Sequence, residues 1–95
     1  MAGSPISGPV DFDPRTAKSI DKGYRSPEIV AVRAHLRKAL ALGPGETVVD
    51  AGCGTGLLCS EMANEVGSGG RVIGVDVSAP MLALAKSRCA THPEI

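Results

Sequence analysis

The sequence predicts an α/β fold: a doubly wound parallel β-sheet of which the N-terminal βαβα half is present. Three observations carry this. Val48-Val49-Asp50 and Val72-Ile73-Gly74-Val75-Asp76 are two short runs rich in β-branched residues, each ending on an acid. Between them Gly52-Cys53-Gly54-Thr55-Gly56 leads directly into Leu57-Leu58, the signature of a strand turning sharply into a helix. Asp76 lies 24 positions after Gly52, which suits a strand–helix–strand unit of about 30 residues.

The elements follow in order. Met1 to Arg15 is rich in Gly, Ser and Pro, and 1–25 is expected to be a flexible arm with at most one helical turn after Thr16. The remainder, 26–95, is expected to form the folded unit. Ser26-Pro27-Glu28 starts a helix: a capping serine, proline at the first position, an acid in the first turn. Ile29, Val32, Leu36 and Leu40 recur at helical spacing as one apolar stripe, while Arg33, Arg37 and Lys38 read as a solvated face and His35 as a surface residue. Gly43-Pro44-Gly45 stops that helix, and Glu46 to Ala51 is the first strand. Leu57 to Val66 is the next helix, with Leu58, Met62 and Val66 as a buried ridge and Glu61 and Asn64 toward water. Gly67-Ser68-Gly69-Gly70 turns the chain into the second strand, from Arg71. Ser78 caps a last helix that buries Met81, Leu84, Ala85 and Cys89 and ends by Pro93.

Composition bounds the function. With 95 residues the chain suffices for one small domain of modest stability. It carries one Phe, one Tyr and no Trp, so the usual large core anchors are missing. Ten basic and ten acidic residues cancel, although Met1–Gly45 holds seven basic against four acidic and Glu46–Ile95 three against six. Neither portion has the basic density of a nucleic-acid surface. No run approaches the length of a membrane span, and Met1–Val10 lacks the apolar stretch of a signal peptide, so a cytoplasmic location is expected. Cys53, Cys59 and Cys89 form no C-x-x-C pair, which argues against a disulfide framework and against a metal site. Cys53 reads as a compact filler between glycines, the alternative being a reactive thiol at a helix N-terminus.

The glycine turn and the two acids are the candidate site. Glycine admits positive φ and close approach of a ligand to the backbone, and an acid at the end of the second strand can accept hydrogen bonds from both hydroxyls of a ribose. The spacing is G-x-G-x-G, with Leu57 where a dinucleotide fingerprint would place glycine or alanine, which disfavours a nicotinamide-dependent dehydrogenase.

Val48 to Gly56 resembles the first motif of the class I S-adenosylmethionine-dependent methyltransferases, and Gly74-Val75-Asp76-Val77-Ser78 resembles their second-strand motif. The pattern covers 46–89 well, and its flavour is similar to the ubiquinone/menaquinone-biosynthesis and arsenite methyltransferase branch. The resemblance implies a Rossmann-like sheet, S-adenosyl-L-methionine as cofactor and no metal. By it, Asp50, Ala51, Gly52, Cys53, Gly54, Thr55 and Gly56 would form the cofactor-binding turn, Gly52 and Gly54 letting the methionine part lie against it with backbone N–H groups near its carboxylate. Asp50 would face the cofactor ammonium or brace the turn, and Gly56 would permit close strand–helix packing. Asp76 would hold the ribose, Val77 would line the adenine pocket, and Tyr24 would reach the cofactor from the N-terminal segment, the alternative being a half-buried aromatic that anchors the arm.

Catalytic residues are not identifiable, because the acceptor side of such a domain would come from later strands than the two seen here. The chain by itself is therefore expected to be incomplete and inactive. The methyl acceptor is open, with a small molecule favoured over nucleic acid or a membrane. Unpaired sheet edges offer a route to self-association. A non-catalytic nucleoside-binding or interaction module is the alternative from another class.

Overall fold

The computed structural model describes residues 13–95. Four helices and two strands follow in the order α1 (Pro14–Tyr24), α2 (Pro27–Leu40), β1 (Thr47–Ala51), α3 (Leu57–Val66), β2 (Arg71–Val75) and α4 (Ala79–Arg88). The strands pair in parallel with Thr47 opposite Arg71 and Ala51 opposite Val75. This is the expected α/β arrangement, a partial Rossmann-like sheet with helices packed on it. Among the described residues, no helix is long and apolar enough to cross a membrane.

Alternation along the strands decides where the core sits. Val48 and Val72 point to the side occupied by α3, where Cys59, Met62, Ala63, Val66 and Cys89 complete the buried cluster. The opposite side of the sheet carries Val49, Ile73 and Val75, all exposed. Gly74 belongs to the packed side for a steric reason. A Cβ there would stand 3.0 Å from the Cys53 sulfur and 3.1 Å from that of Cys59. A glycine inside a strand is a signal of close approach, and here the approaching groups are two thiols.

α1 differs from the expectation of an arm with at most one turn. Asp13 caps it by accepting from the Thr16 N–H at 2.7 Å, Pro14 occupies the first turn, and Ala17 is fully buried. The portion of the expected arm before Asp13 lies outside the described residues. Local propensity alone is poor here, since Ser19, Asp21 and Gly23 all disfavour a helix interior. What holds α1 is tertiary: Asp21 is buried and gripped by Arg88, 67 positions away.

α2 also departs from its predicted packing. Val32, Leu36 and Leu40 are 60%, 45% and 46% exposed, so the apolar stripe does not face the core. The helix docks by its arginines instead. Arg33 pairs with Glu61 at 2.8 Å and donates to the Tyr24 carbonyl, while Arg37 reaches Glu61 at 3.8 Å and Glu65 at 3.6 Å. Arg33 and Arg37 are thus not a solvated face, and Glu61 is not turned to water. The reason is charge matching between two helices whose acids and bases both repeat every four residues, a register invisible in either helix alone. Ser26 stands at the N-cap position but its side chain makes no capping bond, and α2 stops at Ala41 in the left-handed region, before Gly43. His35, Lys38 and Asn64 are exposed as expected.

α3 runs from Gly56 to a glycine C-cap at Gly67, and buries Met62 and Val66 fully and Leu58 partly. Ser78 caps α4 by accepting from the Met81 N–H at 3.3 Å, and Met81, Ala85 and Cys89 are buried. α4 ends at Arg88, before Pro93. Beyond it the Glu94 carbonyl accepts from the Val72 N–H at 2.8 Å, on the edge of β2 away from β1.

Candidate functional site

Both strands deliver their final acids to the same end of the sheet, beside the turn at 52–56. Gly52, Gly54 and Gly56 have φ of +72°, +55° and +83°, a region that side chains disfavour. The three are not equivalent. A Cβ on Gly52 or Gly54 would meet nothing within 4 Å, so those backbones border open space. A Cβ on Gly56 would stand 3.0 Å from the Ala85 Cα and 3.2 Å from the Cys89 sulfur. The close packing expected at Gly56 is therefore against α4 rather than against a strand.

The turn spends most of its own donors internally. The N–H groups of Gly52 and Cys53 both donate to the Val75 carbonyl, at 2.6 and 2.9 Å, and that of Gly56 to the Cys53 carbonyl. The Gly54 N–H donates to Asp76 Oδ2 at 2.8 Å. Among the described residues, the N–H groups of Leu57, Leu58 and Cys59 in the first turn of α3 have no acceptor, as expected of a helix start. The donors open to an anion are thus at the helix N-terminus, not on the glycines named from the sequence.

Asp76 uses both oxygens locally, Oδ1 accepting from the Ser78 N–H at 2.8 Å and Oδ2 from Gly54. A carboxylate has about four lone-pair positions, so about two remain for a further partner. Val77, 72% exposed, follows it at the rim. Asp50 is half-buried, and burial pushes its carboxyl up, against the Cys59 thiol that donates to it at 3.5 Å and with repulsion from Asp76 adding to the shift. Burial also pushes the Cys53 thiol up, and the charges of Asp50 and Asp76 push it further. A raised pKa disfavours the thiolate, a direction that fits the compact filler rather than the reactive thiol.

A cavity of about 200 Å³ brings Tyr24, Asp50, Gly52, Cys53 and Thr55 together with Arg33. Tyr24 reaches this place because α1 ends there, and Ala51 is exposed at the end of β1. Asp76 and Val77 lie outside its lining, at the end of β2. A second cavity of about 440 Å³, between α4 and β2, is lined by all three cysteines.

Behind the turn lies a network absent from the sequence reading. Thr55 is buried, and its hydroxyl donates to Asp21 Oδ1 at 2.5 Å. Arg88 forks onto Asp21 at 2.6 and 2.9 Å and also donates to the Thr55 carbonyl at 2.8 Å. No spacing rule joins residues 21, 55 and 88, so only the folded chain reveals them. The Arg88 fork holds the Asp21 carboxyl below the usual carboxylate range, against its burial, with Thr55 and Arg25 adding to the effect. A lowered folded-state pKa contributes stability that is fully present above the unfolded value of about 3.9 and is lost as pH falls through the folded value. Asp21→Asn is therefore expected to flatten the acid limb of the stability–pH curve below about pH 4, read by urea unfolding at stepped pH. A limb as steep as the parent's would show that Asp21 is not its source.

Comparison with known proteins agrees with this geometry. Residues 42–93, more than half of the chain, match the family model described as a methyltransferase domain. The arsenite methyltransferase of Halobacterium salinarum is 48% identical over 52 residues, 55% of this chain and 13% of that protein. The 2-phytyl-1,4-naphtoquinone methyltransferase of Thermosynechococcus vestitus is 45% identical over 56 residues, 59% of this chain and 25% of that protein. The demethylmenaquinone methyltransferase of Desulfitobacterium hafniense is 38% identical over 74 residues, 78% of this chain and 26% of that protein. The chain thus spans about a quarter or less of the length of these relatives. A crystal structure of a SAM-dependent methyltransferase from Aquifex aeolicus superposes with a TM-score of 0.69 at 26% identity, over 88% of this chain and 45% of that one. With two strands ending in acids, a glycine turn between them and a family match over that same stretch, the chain belongs to the methyltransferase domain family.

Proposed function

We propose that residues 13–95 are the cofactor-holding part of a methyltransferase acting on a small molecule, and that the turn at 52–56 receives the amino-acid end of S-adenosylmethionine. The observation that carries this is the open space over Gly52 and Gly54. These two positions need positive φ, yet no protein atom fills the place a side chain would take. A cradle of that kind fits a ligand lying against the backbone. The cofactor supplies, when bound, a methyl group on a sulfonium that needs no further activation.

The chain's own residues orient and shelter it. The unpaired N–H groups of the first turn of α3 would meet the cofactor carboxylate, and Asp50 its ammonium group. The raised pKa of Asp50 fits this role, because burial has left its charge without a cation of its own among the described residues. Asp76 would accept the ribose hydroxyls on its remaining lone pairs, and Val77 would flank the adenine. Tyr24 would close the cavity from α1. Cys53 would act as a filler, and Ala51 would keep the approach to the strand end clear. The relatives' names divide between arsenite and quinone-type acceptors, which supports a small-molecule acceptor without choosing a branch.

Calorimetry with S-adenosylmethionine, S-adenosylhomocysteine and NAD is the test. The first two are expected to bind with similar affinity and NAD more weakly, since Leu57 replaces the third small residue of a dinucleotide turn. Tighter binding of NAD would overturn the reading. The isolated 95-residue chain is also expected to show no methyl transfer to small molecules.

A further inference from the structure

We infer that Asp21 and Arg88 are positioning residues for the cofactor turn: through Thr55 they set the conformation that receives the amino-acid end of the ligand. The inference rests on the S-adenosylmethionine reading above and adds what selects the bound shape of the turn.

The turn at 52–56 contains three glycines at positive φ, the residues that lose most conformational freedom on ordering. Its ligand side is open at Gly52 and Gly54, where Asp76 and the Val75 carbonyl hold N–H groups but no side chain packs over the backbone. Further selection comes from the other side. Arg88 Nη1 donates to the Thr55 carbonyl at 2.8 Å and lies 3.1 Å from its hydroxyl, while that hydroxyl donates to Asp21. Backbone and side chain of Thr55 are thereby held at once. Fixing the Thr55 carbonyl fixes the peptide plane into Gly56, whose N–H then closes onto the Cys53 carbonyl at 3.1 Å.

The grip is rigid for a chemical reason. Arg88 meets Asp21 as a two-pronged fork, a geometry that a lysine cannot reproduce while also reaching a carbonyl. Asp21 belongs to α1 and Arg88 to α4, so docking of the N-terminal helix is coupled to the shape of the turn. Pre-ordering a binding segment raises affinity by removing the entropy lost on binding. Because the turn faces the methionine part of the ligand, the benefit is specific to that part.

The test compares S-adenosylhomocysteine, which has the amino-acid end, with 5′-methylthioadenosine, which lacks it, by calorimetry on the full chain. In Asp21→Asn and in Arg88→Lys, affinity for S-adenosylhomocysteine is expected to fall by about 3- to 30-fold, with 5′-methylthioadenosine changed by less than about 2-fold. Arg25→Ala serves as the control, because Arg25 reaches Asp21 at only 3.4 Å and its side chain is mostly exposed. Its ratio of the two affinities is expected to match the parent. Arg88→Lys keeps the ion pair and decides the matter alone if Asp21→Asn does not fold. Parallel loss of both ligands, or an unchanged ratio in folded Arg88→Lys, would overturn the positioning role and leave the cofactor reading standing. Failure of the parent to bind S-adenosylhomocysteine would overturn both.

Discussion

Asp76→Ala is expected to lower affinity for S-adenosylhomocysteine by about 30- to 1,000-fold, a loss of about 2–4 kcal/mol. Two effects combine. The carboxylate would lose its charge-assisted hydrogen bonds to the ribose hydroxyls, which water replaces in part. It would also release the Gly54 and Ser78 N–H groups that it holds at 2.8 Å each, loosening the turn and the start of α4 together. The 2′-deoxyribose analogue separates the two. The parent is expected to bind it more weakly than the ribose ligand, whereas Asp76→Ala is expected to bind both alike. A mutant that still discriminates as strongly as the parent would remove Asp76 from the ribose and leave it only its bracing role. Asp76→Asn is expected to fall between, because its one amide oxygen cannot replace two carboxylate oxygens.

Gly56→Ala is expected to destabilise the fold by about 2–4 kcal/mol, measured by urea unfolding. The left-handed backbone at φ +83° accounts for about 1–2 kcal/mol of this. Overpacking against α4 accounts for the rest, since the new methyl would stand 3.0 Å from the Ala85 Cα and 3.1 Å from its Cβ. Backbone atoms of a helix cannot swing aside as a side-chain end can. Gly52→Ala is the matched comparison: it carries a similar conformational cost of about 1 kcal/mol but meets no protein atom. Its larger effect is expected on cofactor binding, where the methyl intrudes on the cradle. Equal destabilisation by the two substitutions would mean that α4 does not lie as close to the turn as described.

Local chemistry made much of this protein legible from its residues. The β-branched runs ending in Asp50 and Asp76 read as strands and form them, and the glycine turn followed by Leu57-Leu58 leads into a helix as its pattern implied. Each signal spans a few residues and needs no distant partner, so the strand–helix–strand succession and a candidate site at its turn were readable from spacing. What tertiary structure decided was every feature joined across distance. Asp21 turned an unpromising stretch into α1 by meeting Arg88 and Thr55, and Glu61 and Glu65 drew α2 onto its arginines and left its apolar stripe outside. Gly56 serves α4 rather than a strand, and the open donors of α3 remain because the glycines of the turn spend theirs internally. A sequence states which groups carry charge or lack a side chain. Which of them meet is decided only when burial makes an unpaired charge or an occupied gap costly.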